Sequence, residues 1–541
     1  MGGAEADPGG ILGDIAELYQ RAGVTIKTAP FAHQSDALIA SWGKKWFAQL
    51  GEQGTGKTWV LINEAALLYA MNEIDSVLVL APKGVDLNWQ VDQVPKHIPD
   101  GVQWESALWR AGAKVKEERA LLKLVGRGGN PFSFDDAPAP APVRVMRWLF
   151  ANWDAIQTDR GYEFIASFLQ GTRAMVICDE AQRIKSPSSR RSKALMKMKQ
   201  WSPWRRIATG TPITNSPFDM FSPFNWLNSS ILGTTSFTAF KAEHARMVGP
   251  GDPLFSMMFE KMKLKLMSEG KSEEAAKKMV IHRMPQIVAK DDNGKSLYRN
   301  IEQLREKIAP HSFRVLKKDC LDLPDKIYKK LYFEMTPEQA RVYEEARDKL
   351  RIWLDAETIQ PLNALTALNK LAQIASGFYI ETAEGITHKI PGDNPKMDLL
   401  RDSLEDIDGK VIIWANFKAE FADIRAACEG KKIVEYHGGV ADKDRKVAID
   451  RFQDGDAEVF IGHPKSGGTG LTLHAASTVI YYSNSYSLES RMQSEDRAHR
   501  IGQKANVLYL DLVARNTVDE KVIAALIEKA DLAALVNGDL L

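Results

Sequence analysis

Short, uninterrupted apolar runs alternate with helical patterns along most of this chain. In its first half they read LGEQGTGKT opening a helix from Trp59 to Met71, then SVLVLAP, VRVMRWLFANW, AMVICDE and RRIATGTP. Continuous apolar runs, rather than alternating ones, suit strands buried on both faces, and their alternation with helices predicts βαβ units around a parallel sheet. A second series, KVIIWANF, KKIVEYHGG, AEVFIGHP, STVIYYSNS and NVLYLDLV, begins near Lys410 and predicts a second lobe of the same kind. Between them the period changes. FEKMKLKLMSEGKSEEAAKKMVIHRM has helical spacing, and strand-like KIYKKLYFEM leads into a helix that Thr336 caps with Pro337 at its first position.

These patterns divide the chain into a flexible tail (1–24), a first α/β lobe (25–230) and a helical insertion and linker (231–325). A helical protrusion (326–395), a second α/β lobe (396–520) and a closing helix (521–541) follow. GRGGNPFSFDDAPAPAP, at 126–142, reads as a flexible surface loop. The fold class is α/β, with two parallel-sheet lobes and helical insertions between them.

Composition narrows this picture only slightly. A chain of 541 residues, 44% hydrophobic, can bury several cores, and its apolar runs are too short to span a membrane. A net charge of +1 makes any nucleic-acid surface a matter of local clusters. Cys178, Cys320 and Cys428 are too scattered for a zinc knuckle or a disulfide framework, and a reducing compartment fits them best. MGGAEADPGG has no basic or apolar signal region, and Ala6 stands where a myristoylation signal wants Ser or Thr.

The chemistry is concentrated at strand ends. Gly51 to Thr58 fits G-x-x-x-x-G-K-[ST] between a strand and a helix, the form of a phosphate-binding loop. Gly54, Thr55 and Gly56 would offer backbone N–H groups, Lys57 would reach the β and γ phosphates, and the Thr58 hydroxyl would ligate Mg²⁺. Asp179 and Glu180 end the run AMVIC; Asp179 would hold Mg²⁺ and Glu180 would orient and deprotonate water. TGTP, at 209–212, offers hydroxyls near the γ-phosphate and a relay to domain movement. In QSEDRAHRIGQ, 493–503, Arg497 and Arg500 stand one helical turn apart as candidate arginine fingers.

GEQGTGKT, DEAQ, TGTPITNS, YHGG, GGTGLTL and QSEDRAHRIGQ, in this order, resemble the helicase motifs of the SNF2 family in superfamily 2. The likeness spans about residues 30–520 and implies two RecA-like lobes, ATP with Mg²⁺, and double-stranded or branched DNA as partner. It makes Gln34, within FAHQ, an adenine-reading residue, and adds Gln493 to the catalytic set of Lys57, Asp179, Glu180, Arg497 and Arg500. It also implies DNA contacts from Lys83, Asn88 and Trp89 in APKGVDLNWQ and from Asn416, Lys418 and Lys465 in the second lobe. The family's usual loop is DEMGLGKT, so Gly51, Gln53 and Thr55 are departures, as is Gln182 in DEAQ. Of an arginine pair that often precedes the second lobe, FRVLKKDCLDLP keeps part.

From Arg183 to Arg206 the chain carries Lys185, Arg190, Arg191, Lys193, Lys197, Lys199 and Arg205 with no acidic residue, a candidate phosphate-backbone surface. Residues 261–283 are a weaker second candidate. The expected activity is ATP-driven translocation on duplex DNA, by a monomer with no membrane partner. Its place would be the cytoplasm of a bacterium or phage-infected cell, or the nucleus of a eukaryote. A strand-separating or branch-migrating DNA or RNA helicase, and an ATP-gated DNA clamp without productive turnover, are the alternatives.

Overall fold

The computed structural model describes residues 8–112, 144–284, 286–292, 294–356, 361–381, 386–465 and 471–539. The expected loop at 126–142 and most of GGTGL lie outside these residues. The chain forms two compact units: Met1–Phe237 with Glu302–Asp322 and Leu532–Leu541, and Thr238–Ile301 with Leu323–Asp531. Each is built on a parallel sheet with helices on its faces, the α/β architecture expected of both lobes.

In the first unit the strands are β1 (Trp46–Gln49), β2 (Ser76–Ala81), β3 (Trp104–Leu108), β4 (Met146–Asn152), β5 (Ala174–Asp179), β6 (Trp204–Ala208) and β7 (Ser312–Phe313). Their order is β3-β4-β2-β5-β6-β1-β7. The helix Lys57–Ala70 is buried on opposite sides: Leu61, Ile62, Ala65 and Leu68 pack with Val77, Val79, Trp148, Phe150 and Ile177. Its Trp59, Val60 and Leu67 pack with Ile15, Leu18, Tyr19 and Leu38. That second cluster corrects the expected tail. Pro8–Ala22 is a helix, because Ile15, Leu18 and Tyr19 recur at helical spacing and are buried.

Two strands of this unit escaped the pattern reading. β3 has mostly half-buried residues, so it lacks a continuous apolar signature. β7 is two residues long, pairs in parallel with β1, and draws 302–322 out of the expected insertion and into the first unit.

The second unit contains β8 (Lys326–Phe333), a small antiparallel pair β9 (Phe378–Ile380) and β10 (Thr387–Lys389), and β11 (Lys410–Trp414). β12 (Ile433–Tyr436), β13 (Val459–Gly462), β14 (Ala476–Tyr481) and β15 (Val507–Ala514) complete it. The main sheet runs β12-β13-β11-β14-β15-β8, with separate apolar clusters on its two faces. β8 is therefore an edge strand of this sheet rather than part of a wholly helical protrusion. Thr336 does cap the helix Pro337–Ala356, its hydroxyl accepting from the Gln339 amide at 3.2 Å. The helices Pro253–Ser268 and Glu273–Arg283 share a small core of Leu266, Ala276 and Val280. Among the described residues no helix is long and apolar enough to cross a membrane.

Candidate functional site

The loop after β1 turns into the helix Lys57–Ala70 through Gly54 and Gly56, whose φ angles of +83° and +80° lie in the left-handed region that glycine enters without strain. A side chain at Gly56 would also collide with Gln34, whose amide nitrogen lies 1.9 Å from the position a Cβ would take. Gln34 is buried, accepts from the Phe31 amide at 2.9 Å and donates to the Gly56 carbonyl at 3.3 Å. His33 Nε2 lies 2.7 Å from the Thr55 carbonyl. The FAHQ segment thus braces the loop from behind. Lys57 Nζ donates to the Gly51 and Glu52 carbonyls at 2.7 and 2.9 Å, which holds its ammonium within the loop's curve. Thr58 is half-buried in the first turn of the helix.

β5 delivers the acids. Asp179 is half-buried, and the shielding of its carboxyl raises its affinity for a proton against the opposing pull of the Trp89 indole, the Lys57 charge and the Glu180 amide. Trp89 Nε1 donates to Asp179 Oδ2 at 2.9 Å, and Trp153 Nε1 donates to the Asp179 carbonyl at 3.0 Å. Glu180 has φ +51° and ψ +54°, a left-handed conformation that a non-glycine residue keeps only where its surroundings enforce it.

Those surroundings form a continuous chain of hydrogen bonds. Gln53 Nε2 donates to Glu180 Oε1 at 3.4 Å and Gln182 Nε2 to Glu180 Oε2 at 2.6 Å. Thr209 Oγ1 donates to Gln182 Oε1 at 2.6 Å, and the Thr211 amide donates to Thr209 Oγ1 at 3.0 Å. Gly210 lies so close to the loop that a Cβ there would meet the Gln53 amide nitrogen at 2.8 Å. DEAQ and TGTP, which the sequence places far from GEQGTGKT, are therefore bonded to it through Gln53, a residue that stood out only as a departure from the usual loop.

The pocket beside the loop is lined by His33, Gln34, Ala37, Thr55, Phe313 and Val315, so the short β7 and the segment after it help to form the site. Sequence reasoning missed Phe313, Val315 and Trp153 as site residues. Only a hydrogen bond or a pocket wall marks them, and neither leaves a local pattern.

In the second unit the helix Leu488–Ala498 carries Gln493 and Arg497, both buried. Arg500 corrects the picture of one continuous helix: it follows the helix end, in a turn. Both arginines nevertheless point to one atom, Arg497 donating to the Leu471 carbonyl at 3.5 Å and Arg500 at 2.9 Å. Burial lowers the Arg500 pKa from its usual value. The turn is pinned by Gln503, whose amide donates to the carbonyls of His474, Ala476 and Ala498 at 3.2, 2.8 and 3.2 Å. Much of RAHRIGQ is thus scaffolding for the arginines.

The expected DNA residues fare differently. Lys83 and Asn88 are exposed, but Trp89 is only 1% exposed and bonded to Asp179, so it braces the acid and is withdrawn as a DNA contact. Asn416 and Lys465 follow the adjacent strands β11 and β13; Asn416 Nδ2 donates to the Ser483 carbonyl at 2.6 Å, and Lys418 and Lys465 are exposed. The basic run 183–206 is only partly a surface. Arg206 is fully buried and paired with Glu64 at 2.6 Å, Arg205 is buried, and Lys199 donates to the Asn225 carbonyl at 2.6 Å. Arg183, Arg190, Lys193 and Lys197 are exposed.

A model of the SNF2-related domain matches residues 158–378, and one of the helicase conserved C-terminal domain matches residues 395–502. The chain belongs to the SNF2 family of superfamily 2. SNF2-family relatives include the Bacillus subtilis putative ATP-dependent helicase/translocase YwqA, 26% identical over 71% of this chain and 38% of that protein. An uncharacterized ATP-dependent helicase of Mycoplasma genitalium is 26% identical over 95% of this chain and 41% of its own. The chicken DNA repair and recombination protein RAD54-like is 22% identical over 90% and 63%. The chain spans about two fifths of the length of these two bacterial relatives. Among solved structures, the Sulfolobus solfataricus SWI2/SNF2 ATPase core in complex with dsDNA is 22% identical, with 95% and 94% of the two chains covered and a TM-score of 0.37.

Proposed function

We propose that this SNF2-family chain is a DNA-dependent ATPase that converts ATP hydrolysis into movement along double-stranded DNA. The observation that carries the reading is the bonded chain Gln53–Glu180–Gln182–Thr209, which ties the phosphate loop, the strained acid and TGTP into one unit. Such a unit can hold Glu180 against an attacking water and feel the loss of the γ-phosphate. Mg²⁺ fits the residues present. Thr58 and Asp179 offer hard oxygen donors, and among the described residues no cluster of three or more acidic, His or Cys side chains forms a metal cage, as suits an ion held largely by nucleotide phosphates. Bound there, it would offset charge on those phosphates.

Lys57 neutralises the phosphates and the loop amides cradle them. Gln34, through the Gly56 carbonyl, keeps the loop in register with the base pocket. Arg497 and Arg500 are proposed to stabilise the charge of the transferring phosphoryl group. DNA contact is proposed for Lys83, Asn88, Asn416, Lys418 and Lys465, with Arg183, Arg190, Lys193 and Lys197 as a further exposed cationic strip.

The test is ATPase activity across duplex, single-stranded, forked and four-way DNA and RNA. Duplex DNA should stimulate turnover most, and Lys57→Ala and Glu180→Gln should abolish it. Robust hydrolysis by either variant would sink the site assignment, and stimulation by RNA alone would replace DNA as the track. Arg500→Ala should keep ATP binding and lose turnover.

A further inference from the structure

β7 and the residues after it present two faces. Phe313 and Val315 line the pocket beside the phosphate loop, and Arg314 between them points the other way, as alternation along an extended segment requires. The Arg314 guanidinium donates to the carbonyl of Leu50, the residue before Gly51, at 2.5 Å and more weakly to the carbonyl of Gly210 in TGTP at 3.4 Å. Its remaining nitrogens fork onto one carboxylate, that of Asp539, with Nε and Nη2 at 3.1 and 2.7 Å from the two oxygens. Both side chains are largely shielded, at 17% and 14% exposure, where a bidentate pair keeps its geometry better than on the surface.

Asp539 is itself held in place. The helix Val518–Asn537 ends in a left-handed Gly538 at φ +78°, with the Gly538 amide donating to Leu535 at 3.3 Å and the Asp539 amide to Ala534 at 2.9 Å. This double closure is a Schellman ending, and it fixes where the next side chain points. A Cβ at Gly538 would also press on the Arg305 guanidinium at 3.1 Å, a flexible end that can shift, so it is the backbone angle that calls for glycine.

The same segment is tied to the loop on its other side. The Leu50 amide donates to the Phe313 carbonyl at 2.8 Å, the Glu52 amide to Val315 at 2.9 Å, and the Lys317 amide to the Glu52 carboxylate at 2.6 Å. Releasing Arg314 from its carboxylate would loosen the segment that carries two walls of the pocket. We propose that Asp539 is a positioning residue for the base end of the nucleotide pocket, acting through Arg314 on Phe313 and Val315. This inference rests on the reading of that pocket as an ATP site.

The experiment uses the full chain and compares ATP with inorganic tripolyphosphate, which has no base. Asp539→Ala should weaken ATP binding and raise the KM for ATP by about tenfold, the loss of one charged, shielded contact. Its kcat and its affinity for tripolyphosphate should change by less than about twofold, because Lys57 keeps its bonds to the Gly51 and Glu52 carbonyls and Arg314 its bond to the Leu50 carbonyl. Asp539→Glu, which retains the charge, should recover most of the ATP affinity; should Asp539→Ala fail to fold, Asp539→Asn takes its place. Unchanged ATP affinity, or equal weakening of ATP and tripolyphosphate, would overturn the inference. Lys57→Ala separates the two readings: if it loses tripolyphosphate binding while Asp539→Ala leaves ATP affinity intact, only the positioning role fails. If Lys57→Ala binds both normally, the ATP site itself is misplaced.

Discussion

Each unit buries a carboxylate beside its sheet, and the two are tuned in opposite directions. Asp179 in the first unit is pushed by burial toward protonation, with the Trp89 indole, the Lys57 charge and the Glu180 amide only partly opposing it. Glu495 in the second is the more fully buried of the two, yet its pKa falls to about 2. Burial alone would raise that value. Lys326 at 3.2 Å, Arg491 at 2.7 Å and the Tyr328 hydroxyl at 2.7 Å more than compensate. Arg491 is in turn held by Asp511 at 2.5 Å. Burial by itself therefore does not set the role: a carboxylate saturated with cations is structural, whereas one left under-compensated has affinity to spare for a cation. Glu495 lies two residues before Arg497 on the same helix, so the saturated carboxylate fixes the element that presents the arginines.

The largest effect should come from breaking the saturated side. Glu495→Ala would strand Lys326 and Arg491 in a buried site, and uncompensated buried charges of this kind destabilise by roughly 3–5 kcal/mol. Denaturant unfolding should show the second unit collapsing at a lower midpoint than the first. Two well-separated transitions in the parent chain that move together in the variant would contradict a local role.

A smaller effect follows on acidification. The folded pKa of Glu495 is depressed, so its contribution is complete above the ordinary glutamate value near 4.5 and is lost as pH falls toward about 2. Over that window the loss should be on the order of 3 kcal/mol. Glu495→Gln should flatten the acid limb of stability measured by circular dichroism, and an unchanged acid limb would mean that other carboxylates govern it.

The poised side should respond in activity rather than stability. Trp89→Phe keeps an aromatic ring in the core but removes the donor to Asp179, and a hydrogen bond to a charged group contributes about 1.5–3 kcal/mol. Turnover should fall roughly tenfold to a hundredfold with little change in unfolding midpoint. A large stability loss with normal turnover would make Trp89 a packing residue only.

The same contrast marks what was legible in the sequence. Residues whose position follows from one strand or turn were readable as positions: Lys57 and Thr58 after β1, Asp179 and Glu180 at the end of β5, Thr209 after β6. Their partners were not, because Gln53 meets Glu180 across 127 residues, Arg206 meets Glu64 across 142 and Arg314 meets Asp539 across 225. The run from Arg183 to Arg206 shows the consequence. One-sided charge along the chain looks like one surface, but β6 is buried over its whole length and carries Arg205 and Arg206 inward. β7 was invisible for a different reason, since two residues cannot display a period.

The smallest expected effect tests how the poised side is held. Gln53 stands where the family's usual loop has methionine, and its amide reaches Glu180 at 3.4 Å, near the limit of a useful hydrogen bond. Gln182 reaches the other Glu180 oxygen at 2.6 Å and is itself fixed by Thr209. Gln53→Met should therefore change turnover by less than about threefold, because the remaining donor still orients the acid. Gln182→Met removes the short bond and breaks the link to TGTP, so its loss should be about tenfold or more. If the two substitutions are equally damaging, the strained Glu180 backbone depends on contact with the phosphate loop rather than on the DEAQ glutamine. The loop would then be the element that senses TGTP directly, through the close approach of Gly210 to the Gln53 amide.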